Sequence, residues 1–508
     1  MMEIISGDRK IAKAEFDTHV RSLAAALGEL GVGEDDAVLI LMRNDIEFLE
    51  ASHAVTYLGG YVATLNWHGT PDDMLYIAND CDAKAAIAHA DLLPLLAKLP
   101  SMPVISVPVA DQISRAYGHK AGDGEPSQAL KWDQLLKTAP TELPPKVARE
   151  PIIYTSGTTG KPKGVRRFPM KSARDVEEMR RSLGFAFGLQ DGTRTLVSSP
   201  LYHAGPASYL RVAMAAMKTD GLVVIHPKFD AEEMLKAIEQ YKIDRLWMVP
   251  TMFVTLLKLP DEVRRRYDVS SLKHIIHSAA PCPIEVKRRM IDWFGPVVYE
   301  FYGSTEVGPV TVAKPEDAIN KPGTVGRVTP DSRVTVLGED GEILGAGGIG
   351  EIAARNRYFP EFTYRNRDAD RRALDRGELV ATGDIGYFDE DGYLFLCDRK
   401  SHMIISGGVN IYPAEIESIA LEHPKIKDCA AFGIPDEKFG EAIALAVEKT
   451  PSADLTEAEI VSFLKERMAS YKVPKLIQFH ASLPREDSGK IFKRVLRQPF
   501  WDQTGRNI

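Results

Sequence analysis

The sequence predicts an α/β protein in two unequal parts: a large N-terminal body of several subdomains, with parallel-rich sheets and a small β-rich portion, and a smaller α+β C-terminal domain. Three observations predict it. Short apolar runs of strand length alternate with amphipathic helical stretches over most of the chain, the order that yields parallel sheets joined by helical crossovers. After about residue 325 this gives way to short segments with Asp-Gly turns, as in SRVTVLGEDGEIL and GYFDEDGYLFLCDR, which suit paired strands better than helices. From about residue 402 a second α/β mixture begins, so the expected division is 1–399 and 400–508.

The elements follow in order. Phe16, Val20, Leu23, Ala26, Leu27 and Leu30 recur at helical spacing within residues 15–31, and Gly31 stops the helix. Residues 37–42 read as a strand, 45–60 as a helix, 61–66 and 85–89 as strands, 91–99 as a helix and 104–107 as a strand. Between residues 114 and 147 the chain is rich in Gly, Pro and charge, the composition of a surface excursion. Strands are expected again at 195–198, 222–225 and 245–249, with a helix at 231–240. In the last part the helices fall at 413–422 and 456–468 and a strand at 442–447.

Composition narrows the function. The 508 residues carry 63 Lys and Arg against 71 Asp and Glu, a net charge of −8, without a long basic stripe, which argues against a nucleic-acid partner. A local loop still binds an anion on a negative protein. The four cysteines, Cys81, Cys282, Cys397 and Cys429, are far apart and form no C-x-x-C pair, so neither a disulfide framework nor a zinc site is expected. The N-terminus is charged where a signal peptide is apolar, and no run reaches the length of a membrane span. A soluble cytoplasmic protein without an integral membrane segment is the expectation.

The sharpest local feature is Tyr154-Thr155-Ser156-Gly157-Thr158-Thr159-Gly160-Lys161-Pro162-Lys163-Gly164, directly after an apolar run. Its glycines let backbone amides approach a ligand, and its hydroxyls and two lysines supply donors and charge, a mixture suited to a polyphosphate. It is not a Walker A loop, because Thr155 takes the first glycine position and Pro162 follows Lys161. The stretch resembles the nucleotide-phosphate loop of the adenylate-forming superfamily, which includes acyl-CoA and aryl-CoA ligases, peptide-synthetase adenylation domains and beetle luciferases. The resemblance covers nearly the whole chain, its motifs arrive in the family's order, and an acyl-CoA ligase is the nearest type.

The remaining motifs take their roles from that resemblance. In Tyr302-Gly303-Ser304-Thr305-Glu306 it implies that Tyr302 stacks on the adenine, Thr305 binds near the α-phosphate and Glu306 helps to hold Mg²⁺. An aromatic ring, a glycine turn, two hydroxyls and a carboxylate suit a purine, a phosphate and a hard cation. Ser278-Ala279-Ala280-Pro281 matches the small-residue loop that borders nucleotide and acyl sites. Asp384 is expected on the ribose hydroxyls with Arg399 near the same sugar, a chemically sensible pairing because a carboxylate accepts from both hydroxyls of a diol. His203 corresponds to a residue that positions the acid or helps to admit the thiol.

Lys490, near the end of the chain, matches the family's catalytic lysine on a mobile C-terminal domain. A cation between the attacking carboxylate and the α-phosphate stabilises the transition state of two approaching anions. Gly407 and Gly408 match the loop that passes the pantetheine arm in the second half-reaction. The pivot usually carries Asp or Lys and here is Ser401, which still caps and turns. The implied reaction is ATP- and Mg²⁺-dependent activation of a hydrophobic fatty, aryl or alicyclic monocarboxylate, followed by transfer to coenzyme A. A carrier-protein thiol is the alternative acceptor. Trp247, Met248, Val249, Met252 and Phe253 are apolar enough to line the acyl pocket. A homodimer is expected from the resemblance alone.

Overall fold

The computed structural model describes residues 2–118, 129–143, 146–155, 162–451, 453–485 and 491–502. The largest sheet has nine strands, in the order Arg327–Val328, Gly308–Ala313, Val298–Ser304, His274–His277, Arg245–Met248, Arg194–Val197, Gly221–Ile225, Met2–Ser6 and Arg9–Ala12. The neighbours from Val298–Ser304 through to Met2–Ser6 are parallel, and both flanks are antiparallel. The parallel strands are buried apolar runs, as Gly221–Ile225 (GLVVI) shows, because helices cover a parallel sheet on both faces.

A second sheet of five strands, Tyr61–Thr64, Ala37–Leu41, Ala83–His89, Val104–Val107 and Leu130–Lys131, is parallel throughout. Helix Lys13–Glu29 turns Phe16, Val20, Leu23 and Leu27 into the core between the two sheets, the face its spacing predicts. Helix Ala231–Tyr241 starts where Asp230 accepts from the amides of Glu232 and Glu233, satisfying donors the first turn leaves open.

Three smaller sheets complete the molecule. Ile153–Thr155, Lys163–Arg167 and Phe362–Tyr364 form an antiparallel sheet of three strands. Ser332–Leu337, Gly350–Asn356, Leu379–Phe388, Asp375–Arg376 and Leu394–Arg399 form an antiparallel one of five, the β-rich portion expected after residue 325. The last sheet, also of five strands, lies wholly within residues 404–480 and carries helices Pro413–Ala420, Glu457–Lys465 and Lys493–Trp501. It has its own core, including Ile404, Ile416, Leu445, Ile460 and Ile477.

Three elements differ from expectation, the first within the stretch read as a surface excursion, where Leu130–Lys131 joins the second sheet and Trp132 and Leu135 are buried. The helix expected at 91–99 is a 3₁₀ helix, Ala90–Leu96, with Pro94 inside it; proline has no N–H to continue an α ladder. Met2–Ser6, for which no element is expected, pairs in parallel with Gly221–Ile225. All four cysteines are free. No helix among the described residues is long and apolar enough to cross a membrane.

The interior holds several neutral histidines, which ties stability to pH. Burial drives the His89 and His274 rings down to about 4, and burial followed by Lys287 drives His277 well below its ordinary value. Unfolded histidines titrate near 6.5, so below that pH the unfolded chain binds protons that the folded chain refuses. Stability therefore falls as pH drops from about 6.5 toward 4, by at most about 1.4 kcal/mol per pH unit for each such ring. His277 is fully buried, and among the described residues neither ring nitrogen has a hydrogen-bond partner. His277→Leu is expected to flatten the dependence of the melting temperature on pH between 7 and 5, read by thermal denaturation across that range.

Candidate active site

The site gathers at the carboxyl ends of the parallel strands, where α/β sheets bind their ligands. His203 follows strand Arg194–Val197 and heads helix Ala204–Ala216. Ser278-Ala279-Ala280-Pro281 follows His274–His277, and Thr305 and Glu306 form the turn after Val298–Ser304. Ala279 holds a left-handed backbone, with φ at +77°, which a side chain with a Cβ occupies only under strain.

Tyr302, Asp384 and Arg399 converge from three strands. The Tyr302 hydroxyl donates to Asp384 Oδ2 at 2.8 Å and lies 2.9 Å from Thr382 Oγ1. Arg399 Nε is 3.4 Å from Asp384 Oδ1, a contact that strand pairing enforces because Asp384 and Arg399 are register partners. Burial, then the Asp384 carboxylate, pushes the Tyr302 phenol well above its ordinary range, so it remains a donor. A ring and a carboxylate beside one another offer a flat apolar surface and a diol acceptor.

A second group forms around Glu306. Its Oε1 accepts from the Tyr364 hydroxyl at 2.7 Å. Lys163 Nζ stands 5.6 Å from the Tyr364 ring centre and 2.9 Å from Asp370. Burial and then Glu306 push the Tyr364 phenol upward, which fixes the direction of that hydrogen bond. Lys163 opens the second strand of the hairpin, opposite Thr155, so the two described ends of the phosphate motif are register partners.

Arg167 ties these parts together. Its guanidinium donates to the carbonyl oxygens of Thr305, of Glu306 at 3.2 Å and of Pro360 at 2.8 Å, and stacks 3.9 Å from the centre of the Phe359 ring. Burial lowers it to about 10, so it stays charged at neutral pH. Neither Tyr364 nor Arg167 lies within a motif, and sequence reasoning misses both. The place of Arg167 on the strand that continues the phosphate motif is the one signal that could have found it.

Ser156, Gly157, Thr158, Thr159, Gly160, Lys161 and Lys490 lie outside the described residues. The chain on either side of 486–490 is anchored: Arg485 bridges to Ile491 and reaches Asp428 at 2.6 Å, and the Phe492 amide donates to Pro484. Gly407 and Gly408, both with positive φ, make the two-residue turn between Ile404–Ser406 and Val409–Ile411, which calls for left-handed residues at both positions. They lie in the C-terminal sheet, with the Gly407 amide on the Phe439 carbonyl.

The residues expected to line the acyl pocket fall into two cores, Trp247 and Met248 on opposite faces of strand Arg245–Met248 and Met252 and Phe253 on helix Pro250–Leu257. Met248, Met252 and Phe253 join a core with Leu246 and Ile275 on one face of the large sheet. Trp247 points to the other, among Phe187, Tyr209, Ile276 and Phe301. From 247–253, therefore, Trp247 is the side chain that shares a face with Ile276, which precedes Ser278 by two residues.

Comparison with known proteins gives the family and the fold. The model of the AMP-binding enzyme family matches residues 2–359, and that of the AMP-binding enzyme C-terminal domain matches 415–490. An indoleacetate–CoA ligase of Aromatoleum aromaticum is 31% identical over 514 residues, covering 98% of this chain and 96% of its own. A long-chain-fatty-acid–CoA ligase of Mycobacterium tuberculosis is 30% identical, covering 97% and 94%. Among solved structures, ATP-bound MatB of Rhodopseudomonas palustris superposes with a TM-score of 0.84 at 25% identity, covering 98% and 96%. The o-succinylbenzoate CoA synthetase of Bacillus subtilis with its acyl-adenylate intermediate gives 0.79 at 25%, covering 97% and 94%.

Proposed function

The chain belongs to the AMP-binding enzyme family, and from that premise we propose that it is an AMP-forming acid–CoA ligase acting on a hydrophobic monocarboxylate. The observation that carries the reading is the meeting of Tyr302, Asp384 and Arg399 beside the Thr305-Glu306 turn, at the strand ends from which the phosphate hairpin is also reached. Coenzyme A is preferred to a carrier-protein thiol because the two relatives named above, which match along nearly the whole chain, are CoA ligases. The reaction belongs in the cytoplasm, where both ATP and coenzyme A are at hand.

In this reading the acid's carboxylate attacks the α-phosphorus of ATP and pyrophosphate leaves, giving the acyl-adenylate. The coenzyme A thiol then attacks the acyl carbon and AMP leaves. Tyr302 faces the adenine, Asp384 with Arg399 takes the ribose hydroxyls, and residues 155–163 with Thr305 hold the phosphates. His203 and Ser278-Ala279-Ala280-Pro281 border the acid. Lys490 places its ammonium between carboxylate and α-phosphate, and most of its help is charge stabilisation. The boundary between catalytic body and C-terminal domain is placed at 399/400, with Ser401 as pivot and Gly407-Gly408 turning toward the thiol route in the second step.

Mg²⁺ fits Glu306. Tyr364 occupies one carboxylate oxygen, and no cluster of three His, Cys, Asp or Glu side chains suited to a metal exists among the described residues. One carboxylate completed by substrate phosphates and water is how Mg²⁺ is usually held beside a nucleotide. When bound it supplies charge neutralisation for the phosphates.

The test is pyrophosphate release with ATP and Mg²⁺ over a panel of monocarboxylates, with and without coenzyme A, and products weighed by mass spectrometry. A thioester that forms with coenzyme A present, together with AMP, is the expected result. Adenylate without any CoA thioester would favour the carrier-thiol alternative.

A further inference from the structure

A lysine and a glutamate meet inside the protein, on the face of the large sheet opposite Trp247. His277 and Glu300 are register partners on neighbouring parallel strands, and Met248 is the register partner of His277 on the next, so the three side chains stand in a row on one face. Helix Ile284–Phe294 covers that row, with Met290 and Ile291 in the same core as Met248, and its Lys287 forms an ion pair with Glu300. Lys287 and Glu300 are each 6% exposed, and His277 is fully buried.

A buried ion pair is a poor device for stability. Each charge loses its water, and apolar side chains of similar volume in the same places leave a protein about as stable or more so. The position of this pair gives it another use. Residues 278–283 connect strand His274–His277 to helix Ile284–Phe294 and include Ser278-Ala279-Ala280-Pro281. Lys287 closes the first turn of the helix, its amide on the Pro283 carbonyl at 3.0 Å, and Glu300 stands beside His277, the last residue before the loop. The pair therefore ties the far end of the loop to the strand next to its near end. Ala279, within the loop, holds its left-handed φ of +77°, and a backbone so placed persists only where its surroundings fix it. Glu300 also precedes Tyr302 by two residues on the same strand, so one contact sets the loop against the residue that meets Asp384.

We infer that Lys287 and Glu300 are positioning residues for the nucleotide: their ion pair fixes Ser278-Ala279-Ala280-Pro281 relative to Tyr302 and acts on ATP through that loop. The inference rests on the ligase reading above, which makes the loop a border of both nucleotide and acid.

The experiment compares the wild type, Lys287→Met, Glu300→Leu and the double variant Lys287→Met/Glu300→Leu. It reads thermal denaturation, calorimetric titration with ATP and Mg²⁺, and kcat/KM for pyrophosphate release with a monocarboxylate the wild type accepts. Each single variant leaves one buried charge without its partner and is expected to melt several degrees below the wild type. The double variant leaves none and is expected to melt with the wild type, yet to bind ATP about 10-fold more weakly and to lose about 10²-fold in kcat/KM, the cost of a small misplacement near reacting atoms. Residues that serve the fold alone would not separate melting from ATP affinity in this way. A double variant that binds and turns over ATP like the wild type overturns the inference, since the pair is then replaceable core. One that melts as low as the single variants also overturns it, since the pair is then kept for stability. A wild type that binds ATP and releases no pyrophosphate with any acid overturns the ligase reading instead, and the ATP affinities of the variants still decide the role of the pair.

Discussion

Lys490→Ala is expected to lower the rate of acyl-adenylate formation by about 10²–10³-fold, the cost of removing one well-placed charge donor from a transition state that gathers negative charge. The carboxylate and the α-phosphate repel as they approach, and an ammonium between them is worth more at their closest distance than when they are apart. Thioester formation from supplied acyl-adenylate should fall much less, because in that step the thiol meets an already activated carbonyl. Single-turnover measurements of the two half-reactions check this. Equal loss in both would mean that Lys490 supports the fold of the C-terminal domain and leaves the phosphates alone. The surroundings argue against a folding role: the same domain end is already held by Arg485 on Asp428 and by the half-buried Lys493 on Glu417 at 2.7 Å.

Arg167→Met is expected to damage stability and nucleotide binding together. The variant keeps most of the volume and loses the charge that three backbone carbonyls, those of Thr305, Glu306 and Pro360, accept from. Each charge-assisted hydrogen bond contributes about 1.5–3 kcal/mol, so a loss of at least about 3 kcal/mol is expected in chemical denaturation. The turn bearing Thr305 and Glu306 then loses the strut that fixes it to the phosphate hairpin, and KM for ATP should rise by about 10-fold or more. Arg167→Lys should recover part of the stability, since one ammonium reaches fewer of the three oxygens than a planar fork does. A variant that melts with the wild type and binds ATP normally would show that the strands alone hold the turn.

Much of this site is legible in the sequence because adenylate chemistry asks for short contiguous runs. A loop that wraps phosphate needs its glycines and hydroxyls in succession, as proposed for residues 155–164, and a turn for purine, phosphate and cation, the role proposed for Tyr302 to Glu306, needs its residues in order. Helices are legible for a similar reason, since Phe16, Val20, Leu23 and Leu27 state their buried face by spacing alone. What pairs across the chain is not. Glu306 shows no sign of Tyr364, 58 residues on, nor Asp384 of Tyr302, 82 residues back. Neither does the apolar run at 247–253 reveal that its residues serve two different cores.

Sequence by itself thus determined the fold class, the alternation of strand and helix, the motifs and the family of reaction. Tertiary structure decided that Met2–Ser6 joins the distant strand Gly221–Ile225, that Arg167 holds the turn of Thr305 and Glu306, and that Trp247 and Met248 serve opposite faces of the large sheet. The physical reason is that local chemistry and helical or strand period are carried by neighbouring residues. Register, face and burial depend on which distant segment packs against them, and that is set by the whole core at once.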